Sequence, residues 1–382
     1  MGKDNKMNIL ITGGAGFIGS NLALKLALKG HRITVLDNLS PQIHGDNAEF
    51  TSPLYQSILN KVVFIKGSVA ERKDWKHAIK NQDVIVHLAA ETGTGQSMYC
   101  IEKYVEVNQL GTAIMLDILA NDVNDIKKVV VASSRSVYGE GKYLHPRFGI
   151  VYPDARSEEN MKNGDFEVYY EDYEKLQLLP TDEMSKIHPS SVYGITKYNQ
   201  EQLVMTVCPT LGIDCIAFRY QNVYGPGQSL SNPYTGILSI FSTQIMNGNS
   251  INIFEDGKES RDFVFIDDVV DATILGIEKD EANGEVFNVG TNQPIDVVEV
   301  AKTLMNVYNV NVPMVISKNF RIGDIRHNYA DLTKIKDKLG FEPKVDFKTG
   351  IHKFAKWVMK QEVKDDNLIT SLEEMKKRGL YK

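Results

Sequence analysis

The sequence has few cysteines, no long apolar run and no block of basic residues. The three cysteines, Cys100, Cys208 and Cys215, have the spacing of neither a metal site nor a disulfide framework, so we expect reduced thiols, no metal site and a cytoplasmic location. No apolar stretch is long enough to cross a bilayer, and the first residues lack the apolar core of a signal peptide, so no membrane partner is expected. The net charge of -6, without a basic block, argues against a nucleic-acid partner.

What the sequence does contain is a repeated alternation of short β-branched runs with longer helical segments. Near-continuous apolar strands separated by helices are typical of a parallel sheet that helices cover on both faces. The pattern therefore predicts an α/β fold with a doubly wound parallel sheet, of the Rossmann type. The predicted strands are MNILITG (7–13), RITVLD (32–37), KVVFIKG (61–67), DVIVHLAA (83–90), KKVVVASS (127–134) and DCIAFRYQN (214–222).

The same pattern divides the chain into two domains that exchange segments. Residues 1–220 and about 258–290 are predicted to form the first domain, because RDFVFIDDVVDATILGIE (261–278) and VFNVG (286–290) return to the strand and helix pattern. About 221–257 and 291–382 are predicted to form a smaller, discontinuous α/β domain. Residues 139–188 are too long for a simple connection, so we expect an insertion at the mouth of the sheet, in the position of a lid.

A glycine-rich turn follows the first predicted strand. In TGGAGFIGS (12–20), Gly14, Gly16 and Gly19 match G-x-G-x-x-G, and Gly13, Gly16 and Gly19 match G-x-x-G-x-x-G equally well. Such glycines permit a tight turn and let backbone amides approach a pyrophosphate at the N-terminus of the next helix. Because the turn joins a predicted strand to a predicted helix, it indicates a dinucleotide-binding loop.

Asp37 ends the second predicted strand, 18 residues beyond Gly19. A carboxylate at this point accepts hydrogen bonds from both ribose hydroxyls of an adenosine and repels a 2′-phosphate. The next residues are Asn38 and Leu39 rather than an arginine. The expected cofactor is therefore NAD rather than NADP.

A tyrosine, a lysine and a serine form the candidate catalytic set. Tyr193 and Lys197 lie four positions apart in PSSVYGITKYNQ (189–200), so they share one face of a predicted helix. The fifth strand runs into SSRSVYG (133–139), which puts serines at the carboxyl end of a central strand, where open α/β sheets bind ligands. Lys197 and an oxidised nicotinamide are expected to lower the pKa of Tyr193. The phenol then takes a proton from an alcohol as hydride leaves the same carbon, and the serine hydroxyl orients the alcohol oxygen.

Together these motifs resemble the extended short-chain dehydrogenase/reductase family, in its nucleotide-sugar epimerase and dehydratase branch. The resemblance extends over nearly the whole chain, and its motifs occur in one order. The matching segments are TGGAGFIG (12–19), HLAA (87–90), VNQLGT (107–112), SSRSVYG (133–139), YGITK (193–197), RYQNVYGPG (219–227), RDFVFIDDV (261–269), FNVG (287–290) and RIGDIRH (321–327).

The resemblance implies a role for individual residues. Ser134, Tyr193 and Lys197 would be catalytic, with Tyr193 as the base, and the second domain would bind a nucleotide sugar. The implied cofactor-binding residues are Gly13, Gly16, Phe17, Ile18, Gly19, Asp37, Asn38, Ser68, Val69, Leu88, Ala89, Ala90, Asn108, Tyr193, Lys197 and Tyr220. The implied substrate-binding residues are Thr92, Ser136, Asn222, Arg261 and Arg326, of which the last three would contact the diphosphate.

The family performs several reactions at one hydride-transfer site, and two features of this chain choose among them. Sugar 4,6-dehydratases carry Asp-Glu directly after the Ser134-type hydroxyl, whereas this chain has Arg135 and Ser136, which argues against dehydration. Asp37 argues against a reductase that consumes NADPH. The predicted function is therefore NAD-dependent 4-epimerisation of a nucleotide-diphospho-sugar through a transient 4-keto intermediate, with a nucleotide-sugar reductase or dehydrogenase as an alternative.

The substrate and the oligomeric state are inferred from likeness alone. Residues 87–99 and 219–241, with the insertion, are most similar to bacterial dTDP-L-rhamnose 4-epimerases, which form dTDP-6-deoxy-L-talose. A UDP-hexose or UDP-hexuronate is the alternative substrate, and an NAD-sensing binding protein is the alternative outside enzymes. Family members dimerise through a four-helix bundle, which implies a homodimer here, formed by the helices of residues 98–120 and of Tyr193.

Overall fold

The computed structural model describes residues 6–230, 232, 234, 236–362, 366 and 368–382. The first five residues, on which the expectation of no signal peptide partly depends, lie outside this range. So do three residues of the 219–241 segment that carries the likeness in substrate.

The strands of the described chain are mostly short. They are β1 (Asn8–Thr12), β2 (Arg32–Asp37), β3 (Val63–Lys66), β4 (Val84–His87), β5 (Lys128–Ser134), β6 (Tyr143–His145), β7 (Gly149–Val151), β8 (Gln177–Leu178), β9 (Asp214–Tyr220), β10 (Asn222–Tyr224), β11 (Ile251–Ile253), β12 (Ser260–Phe265), β13 (Glu285–Val289), β14 (Pro294–Asp296), β15 (Met314–Ile316) and β16 (His327–Asn328).

The helices alternate with these strands. They are α1 (Phe17–Leu28), α2 (Pro41–His44), α3 (Ala48–Thr51), α4 (Pro53–Ile58), α5 (Arg72–Ala78), α6 (Thr94–Ser97), α7 (Ile101–Tyr104), α8 (Gly111–Asn121), α9 (Glu158–Lys162), α10 (Val192–Thr210), α11 (Ile237–Met246), α12 (Ile266–Glu278), α13 (Val297–Tyr308), α14 (Thr333–Leu339), α15 (Phe347–Val358) and α16 (Leu368–Lys377). A π-helical segment, Val105–Leu110, joins α7 to α8, and 3-10 turns occupy Arg135–Tyr138 and Asp280–Ala282.

A seven-stranded sheet forms the centre of the larger domain. Its order is β13-β9-β5-β4-β1-β2-β3, and every neighbouring pair is parallel. The chain moves outward from β1 to β2 and β3, then crosses to β4 on the other side of β1. This reversal is the topological switch point at which open α/β sheets bind ligands. The predicted α/β fold with a doubly wound parallel sheet is thus confirmed.

Both faces of this sheet are buried, which explains the near-continuous apolar strands. Ile9 and Ile11 of β1 lie in one core with Leu22 and Leu26 of α1. Leu10, between them, faces a second core that contains residues of α5, α8 and α10. Alternate side chains of a strand point to opposite faces, so a strand covered on both sides needs apolar residues at every position.

The smaller domain holds a sheet of β10, β12 and β14, with β16 paired to β12. The structure differs here from the predicted domain boundary. Strand β12 pairs with β10, β14 and β16 rather than with the large sheet. The chain returns to the larger domain only at α12, which packs against α1, and at β13, which pairs with β9. The apolar run at 261–278 is therefore a strand of one domain followed by a helix of the other.

The insertion, residues 139–188, forms a small antiparallel sheet of β7, β6 and β8 with α9 beside it. It is anchored to the smaller domain: Arg156 donates to Glu255 Oε2 and Oε1 at 2.6 and 2.8 Å, and Thr181 N–H donates to Tyr329 O at 2.9 Å. No residue of 139–188 lines the cavity described below. The expected lid position is therefore wrong: the buried Arg156–Glu255 pair holds the insertion to the smaller domain, and Glu183 Oε1, which accepts from Asn288 N at 2.7 Å, holds it to the larger one.

Candidate active site

A cavity of about 440 Å³ opens at the carboxyl ends of the large sheet, beside the switch point. Its wall combines the turns after β1 to β5 with the start of α10, Tyr220 at the end of β9, and residues 221–223, 227–229, 234 and 236–238 of the smaller domain. Most of the predicted site residues meet here: Gly13, Gly16, Phe17, Ile18, Gly19, Asp37, Asn38, Ser68, Val69, Leu88, Ala89, Ala90, Thr92, Ser134, Ser136, Tyr193, Lys197, Tyr220 and Asn222.

Three glycines shape the turn between β1 and α1, each in a different way. Gly13 has a φ of +66°, and a Cβ there would lie 2.8 Å from the backbone nitrogen of Ala89. A Cβ on Gly19 would lie 2.4 Å from Gly13 O, so this glycine lets the helix pack against the turn. Gly16 lines the cavity and its Cβ would meet only Gly13 O, at 3.2 Å. The backbone at the start of α1 therefore faces the cavity without a covering side chain. This arrangement suits a phosphate group.

Asp37 is buried at the end of β2, close to the same turn. Its Oδ2 accepts from Ala15 N at 3.0 Å and its Oδ1 accepts from Leu39 N at 2.8 Å. Burial raises the pKa of this carboxyl, while the backbone N–H of Leu39 and the nearby His44 act in the opposite direction. Each carboxylate oxygen has two acceptor positions. Asp37 is thus fixed by the turn and still has one acceptor position on each oxygen for a diol.

Ser134 and Tyr193 form the reactive pair of the cavity. The Ser134 hydroxyl accepts hydrogen bonds from Ser136 N at 3.2 Å and from Ser136 Oγ at 2.9 Å, and it is hydrogen-bonded to the Tyr193 phenol. Burial raises the pKa of Tyr193, whereas the Ser134 hydrogen bond and the positive charge of Arg135 lower it. The cation of the protein that acts on the phenol is therefore Arg135, and the effect expected of Lys197 is not found.

Lys197 instead joins a buried polar chain behind the cavity wall. Its Nζ donates to Gln200 Oε1 at 2.7 Å, and Gln200 Nε2 lies 3.2 Å from His87 Nε2 and 2.9 Å from Thr112 Oγ1. Burial lowers the pKa of Lys197 to about 7, although the charge of Glu201 raises it. Burial and the Lys197 charge lower the pKa of His87 to about 3, so His87 is neutral and orients Lys197 through Gln200.

Asn108 does not line the cavity, contrary to its expected place along the cofactor. It lies fully buried on the π-helical segment, where its Oδ1 accepts from Glu91 N at 2.8 Å and its Nδ2 donates to Thr196 Oγ1 at 2.9 Å. Val107 lines the cavity in its place. A π-helical turn contains an extra residue and so rotates the side chains that follow. Asn108 thereby fastens the loop after β4 to α10, which holds Tyr193.

The two predicted diphosphate arginines also lie outside the cavity wall. Arg326 is fully buried, and its guanidinium pairs with Asp256 at 2.6 Å, Glu167 at 3.1 Å and Glu255 at 3.2 Å. These carboxylates satisfy its charge, so the expected diphosphate contact of Arg326 does not fit this arrangement. Arg261 donates, among the described residues, to the backbone carbonyl oxygens of Ser260, Ile325 and Arg326.

Several residues of the cavity wall were not predicted from the sequence. They include Ser40, Gln42, His44, Val107, Arg135, Gln228 and Tyr234. Arg135 had a signal, because it directly follows Ser134 at the end of a central strand. His44 and Tyr234 had none, since they reach the cavity from long connections whose course depends on tertiary packing. Among the described residues, no group of three His, Cys, Asp or Glu side chains gathers as metal ligands would.

These residues fit a dinucleotide. The bare backbone at Gly13 and Gly16 suits a pyrophosphate, and the two acceptor positions left on Asp37 suit a ribose diol. Tyr193, Lys197 and Ser134 lie on the same cavity wall as both. No helix in the described part of the chain has the length and apolar character that crossing a membrane requires.

The class of protein follows from a family comparison. The model of the NAD dependent epimerase/dehydratase family matches residues 9–158 and 167–290. The chain belongs to this family. The resemblance drawn from the motifs is thereby confirmed, as are NAD as the cofactor and the class of enzyme, a nucleotide-sugar epimerase.

Individual relatives agree with this class. The dTDP-L-rhamnose 4-epimerase of Burkholderia thailandensis is 34% identical over 356 residues, which cover 92% of this chain and 95% of the relative. The UDP-glucose 4-epimerase of Thermotoga maritima, solved with UDP-glucose, is 29% identical with a TM-score of 0.74 and covers 93% of this chain and 99% of its own. The UDP-glucuronic acid 4-epimerase of Bacillus cereus, solved with UDP-glucuronic acid and NAD, is 25% identical with a TM-score of 0.73, over 92% and 99%.

Proposed function

We propose that this enzyme interconverts dTDP-L-rhamnose and dTDP-6-deoxy-L-talose by inverting the configuration at C4. The observation that carries the epimerase chemistry is that Ser134, Tyr193 and Lys197 meet on the wall of one cavity that Asp37 also lines. The choice of sugar is supported by the 34% identity to the dTDP-L-rhamnose 4-epimerase over nearly all of both chains. Because UDP-glucose and UDP-glucuronate epimerases are also similar in structure, a UDP-hexose or UDP-hexuronate is the second candidate substrate.

The residues of the cavity divide the proton chemistry among them. Tyr193 accepts the proton of the C4 hydroxyl and later returns it, and Ser134 donates a hydrogen bond that orients the C4 oxygen. Arg135 supports the phenolate form of Tyr193 through its charge. Gly13, Gly16 and Asp37 would hold NAD, which would supply reversible hydride transfer at C4. The positions that hold an acid pair in dehydratases are Arg135 and Ser136, so the sugar keeps its other substituents.

The experiment offers the purified enzyme, with NAD, three nucleotide sugars in turn: dTDP-L-rhamnose, UDP-glucose and UDP-glucuronate. We expect proton NMR to show a new C4 epimer from dTDP-L-rhamnose and, in D2O, no deuterium at C4, because hydride does not exchange with solvent. Tyr193→Phe is the matched control, which keeps NAD binding and loses at least about a thousandfold in turnover.

Other outcomes name the alternatives. Conversion of a UDP sugar but not of dTDP-L-rhamnose would replace the proposed substrate. Stoichiometric NADH without an epimer would indicate a dehydrogenase. NAD binding with no product from any of the three sugars would contradict all three proposed substrates and favour the NAD-sensing alternative.

We also propose that the enzyme is a homodimer. Three apolar side chains are about half exposed: Ile101 (51%) on α7, Leu110 (48%) on the π-helical segment and Ile195 (50%) on α10. These helices pack against one another, so the apolar side chains lie on one side of the larger domain. A self-complementary contact through this face would remove them from water. The cytoplasmic location and a role in deoxysugar and polysaccharide biosynthesis remain predictions.

A further inference from the structure

Arg135 is a cavity residue that the reaction described above does not fully explain. It opens the 3-10 turn after β5 and lines the cavity together with Ser134, Tyr193 and Asn222. Its Nε donates to Asn222 Oδ1 at 2.8 Å, which fixes the plane of the guanidinium. Within the described chain, the two terminal nitrogens of Arg135 have no hydrogen-bond partner and no carboxylate within ion-pair distance.

The charge of Arg135 is therefore unbalanced. The carboxylates whose charges reach it are Asp324 and Glu140, and both already have partners. Asp324 pairs with Arg321 at 2.7 Å, and Glu140 accepts from Arg326 N at 2.7 Å. Burial and the positive charge of Arg261 lower the pKa of Arg135 to about 9, which leaves the guanidinium protonated at neutral pH.

A partly buried cation without an anion is costly, and a ligand that supplies the anion removes the cost. The terminal nitrogens of a guanidinium present a fork of N–H donors that matches the oxygens of a phosphate or carboxylate. Arg261 lies close enough to repel Arg135 and donates to the backbone carbonyl oxygens of Ser260 and Ile325. Arg135 therefore gives this part of the cavity a guanidinium without a directly paired carboxylate among the described residues, which suits an anion.

We propose that Arg135 binds the sugar-side phosphate of the nucleotide-diphospho-sugar. The proposal rests on the class of substrate stated above, and it does not depend on which base or sugar is bound. In a nucleotide sugar with a neutral hexose, the anionic groups are the two phosphates. The NAD pyrophosphate has its own place at Gly13 and Gly16, whereas Arg135 is tied to Asn222 of the smaller domain. Arg135 is thus a substrate contact at the position where dehydratases of the family have an acid.

The test measures binding by calorimetry with NAD present. The ligands are dTDP and UDP, which have the sugar-side phosphate, dTMP and UMP, which lack it, and the complete nucleotide sugars UDP-glucose and UDP-glucuronate. We expect Arg135→Gln to weaken the diphosphates about 10- to 100-fold and to change the monophosphates by less than about threefold. Arg135→Lys should be intermediate, because an ammonium keeps the charge and loses the fork. An unchanged affinity for NAD and an unchanged melting temperature show that the variants are folded.

Four results would overturn the proposal. Equal losses for diphosphates and monophosphates would move the contact away from the sugar-side phosphate. A loss confined to the complete nucleotide sugars would mean that Arg135 contacts the sugar, and a larger loss for UDP-glucuronate than for UDP-glucose would identify a carboxylate as its partner. If the wild type binds no diphosphate, the proposal and the nucleotide-sugar function fail together, whereas conversion of an unexpected sugar leaves the role of Arg135 intact.

Discussion

At the scale of single residues, burial shifts the pKa of each reactive group toward its uncharged form. It raises the pKa of Tyr193 and lowers that of Lys197, so in both cases it favours the uncharged form. The protein counters this with individual contacts: the Ser134 hydroxyl and Arg135 for the phenol, and Glu201 for the ammonium. Burial outweighs these contacts in both cases, so the pKa of Tyr193 stays above its ordinary value and that of Lys197 stays below its own.

Lys197→Met tests the cost of burying this ammonium. The pKa of Lys197 is about 7 in the folded protein and 10.5 ordinarily. The unfolded chain therefore binds more protons between these values, and the stability of the wild type rises with pH across that window. The quantity to compare is the melting temperature of Lys197→Met minus that of the wild type at the same pH. We expect this difference to be at least about 3 °C larger near pH 6 than near pH 10.

The matched control for this prediction is Lys76→Met, at a lysine that is half-exposed and pairs with Asp122 at 2.9 Å. Its melting temperature should differ from that of the wild type by the same small amount at both pH values, because solvent screens this pair. A difference for Lys197→Met that does not fall with pH would mean that Lys197 keeps an ordinary pKa in the folded protein.

Asp37→Ala tests the choice of cofactor. Removing the carboxylate removes the acceptors for a ribose diol and the repulsion of a 2′-phosphate. We expect NAD to bind about 10- to 100-fold more weakly and the preference for NAD over NADP to fall by at least about tenfold, as measured by fluorescence titration of both cofactors. Asn38→Ala, at the neighbouring cavity residue, should leave the ratio of the two affinities unchanged. An unaltered ratio in Asp37→Ala would show that this carboxylate does not face the ribose.

At the scale of elements, the sequence predicts what depends on local pattern and misses what depends on register and tertiary contact. The apolar runs of β1 to β5 and the glycine turn are local signals, and the large sheet agrees with them. The family resemblance placed Asn108 along the cofactor, but the π-helical segment puts Val107 on the cavity wall and buries Asn108, and the sequence pattern does not reveal such a segment. β12 was assigned to the wrong domain because an apolar run fits either sheet, and its pairing with β14 and β16 is set by distant residues.

The insertion illustrates the same limit and leads to a prediction. Its length is visible in the sequence, but its anchor, Arg156, is an ordinary arginine until the fold brings Glu255 to it. Removing one partner of a buried ion pair leaves the other charge uncompensated. We expect Arg156→Met to lower the free energy of unfolding by roughly 3 kcal/mol or more, measured by chemical denaturation.

Lys162→Met is the control, because Lys162 pairs with Glu158 at 2.6 Å in a largely exposed contact of the same insertion. This variant should cost less than about 1 kcal/mol. Similar losses in the two variants would show that the contact between the insertion and the smaller domain contributes little to stability. Turnover is expected to survive in both variants at temperatures where they are folded, since the insertion does not line the cavity.

At the scale of the whole molecule, the two domains share one apolar core. The cluster that contains Ile9 and Leu22 of the larger domain continues to Phe241 and Phe354 of the smaller one. The chain also crosses between the domains more than once, with β12 in one and α12 in the other. The cavity is formed where they meet, from the strand ends of one and residues 221–223, 227–229, 234 and 236–238 of the other. Neither domain alone therefore provides a complete site.

The exposed apolar side chains of α7, the π-helical segment and α10 lead to the last prediction, which concerns assembly. If this face is the contact of a homodimer, a charge at its centre must be desolvated on association, at a cost of several kcal/mol. We expect the wild type to sediment as a dimer in analytical ultracentrifugation and Ile195→Glu to weaken the dimer at least about 100-fold, so that it sediments as a monomer at micromolar concentration. Leu28→Glu is the control, because Leu28 is 89% exposed on α1, outside this face, and its replacement should leave the dimer intact. A monomeric wild type, or equal dissociation by the two variants, would contradict a contact through α10.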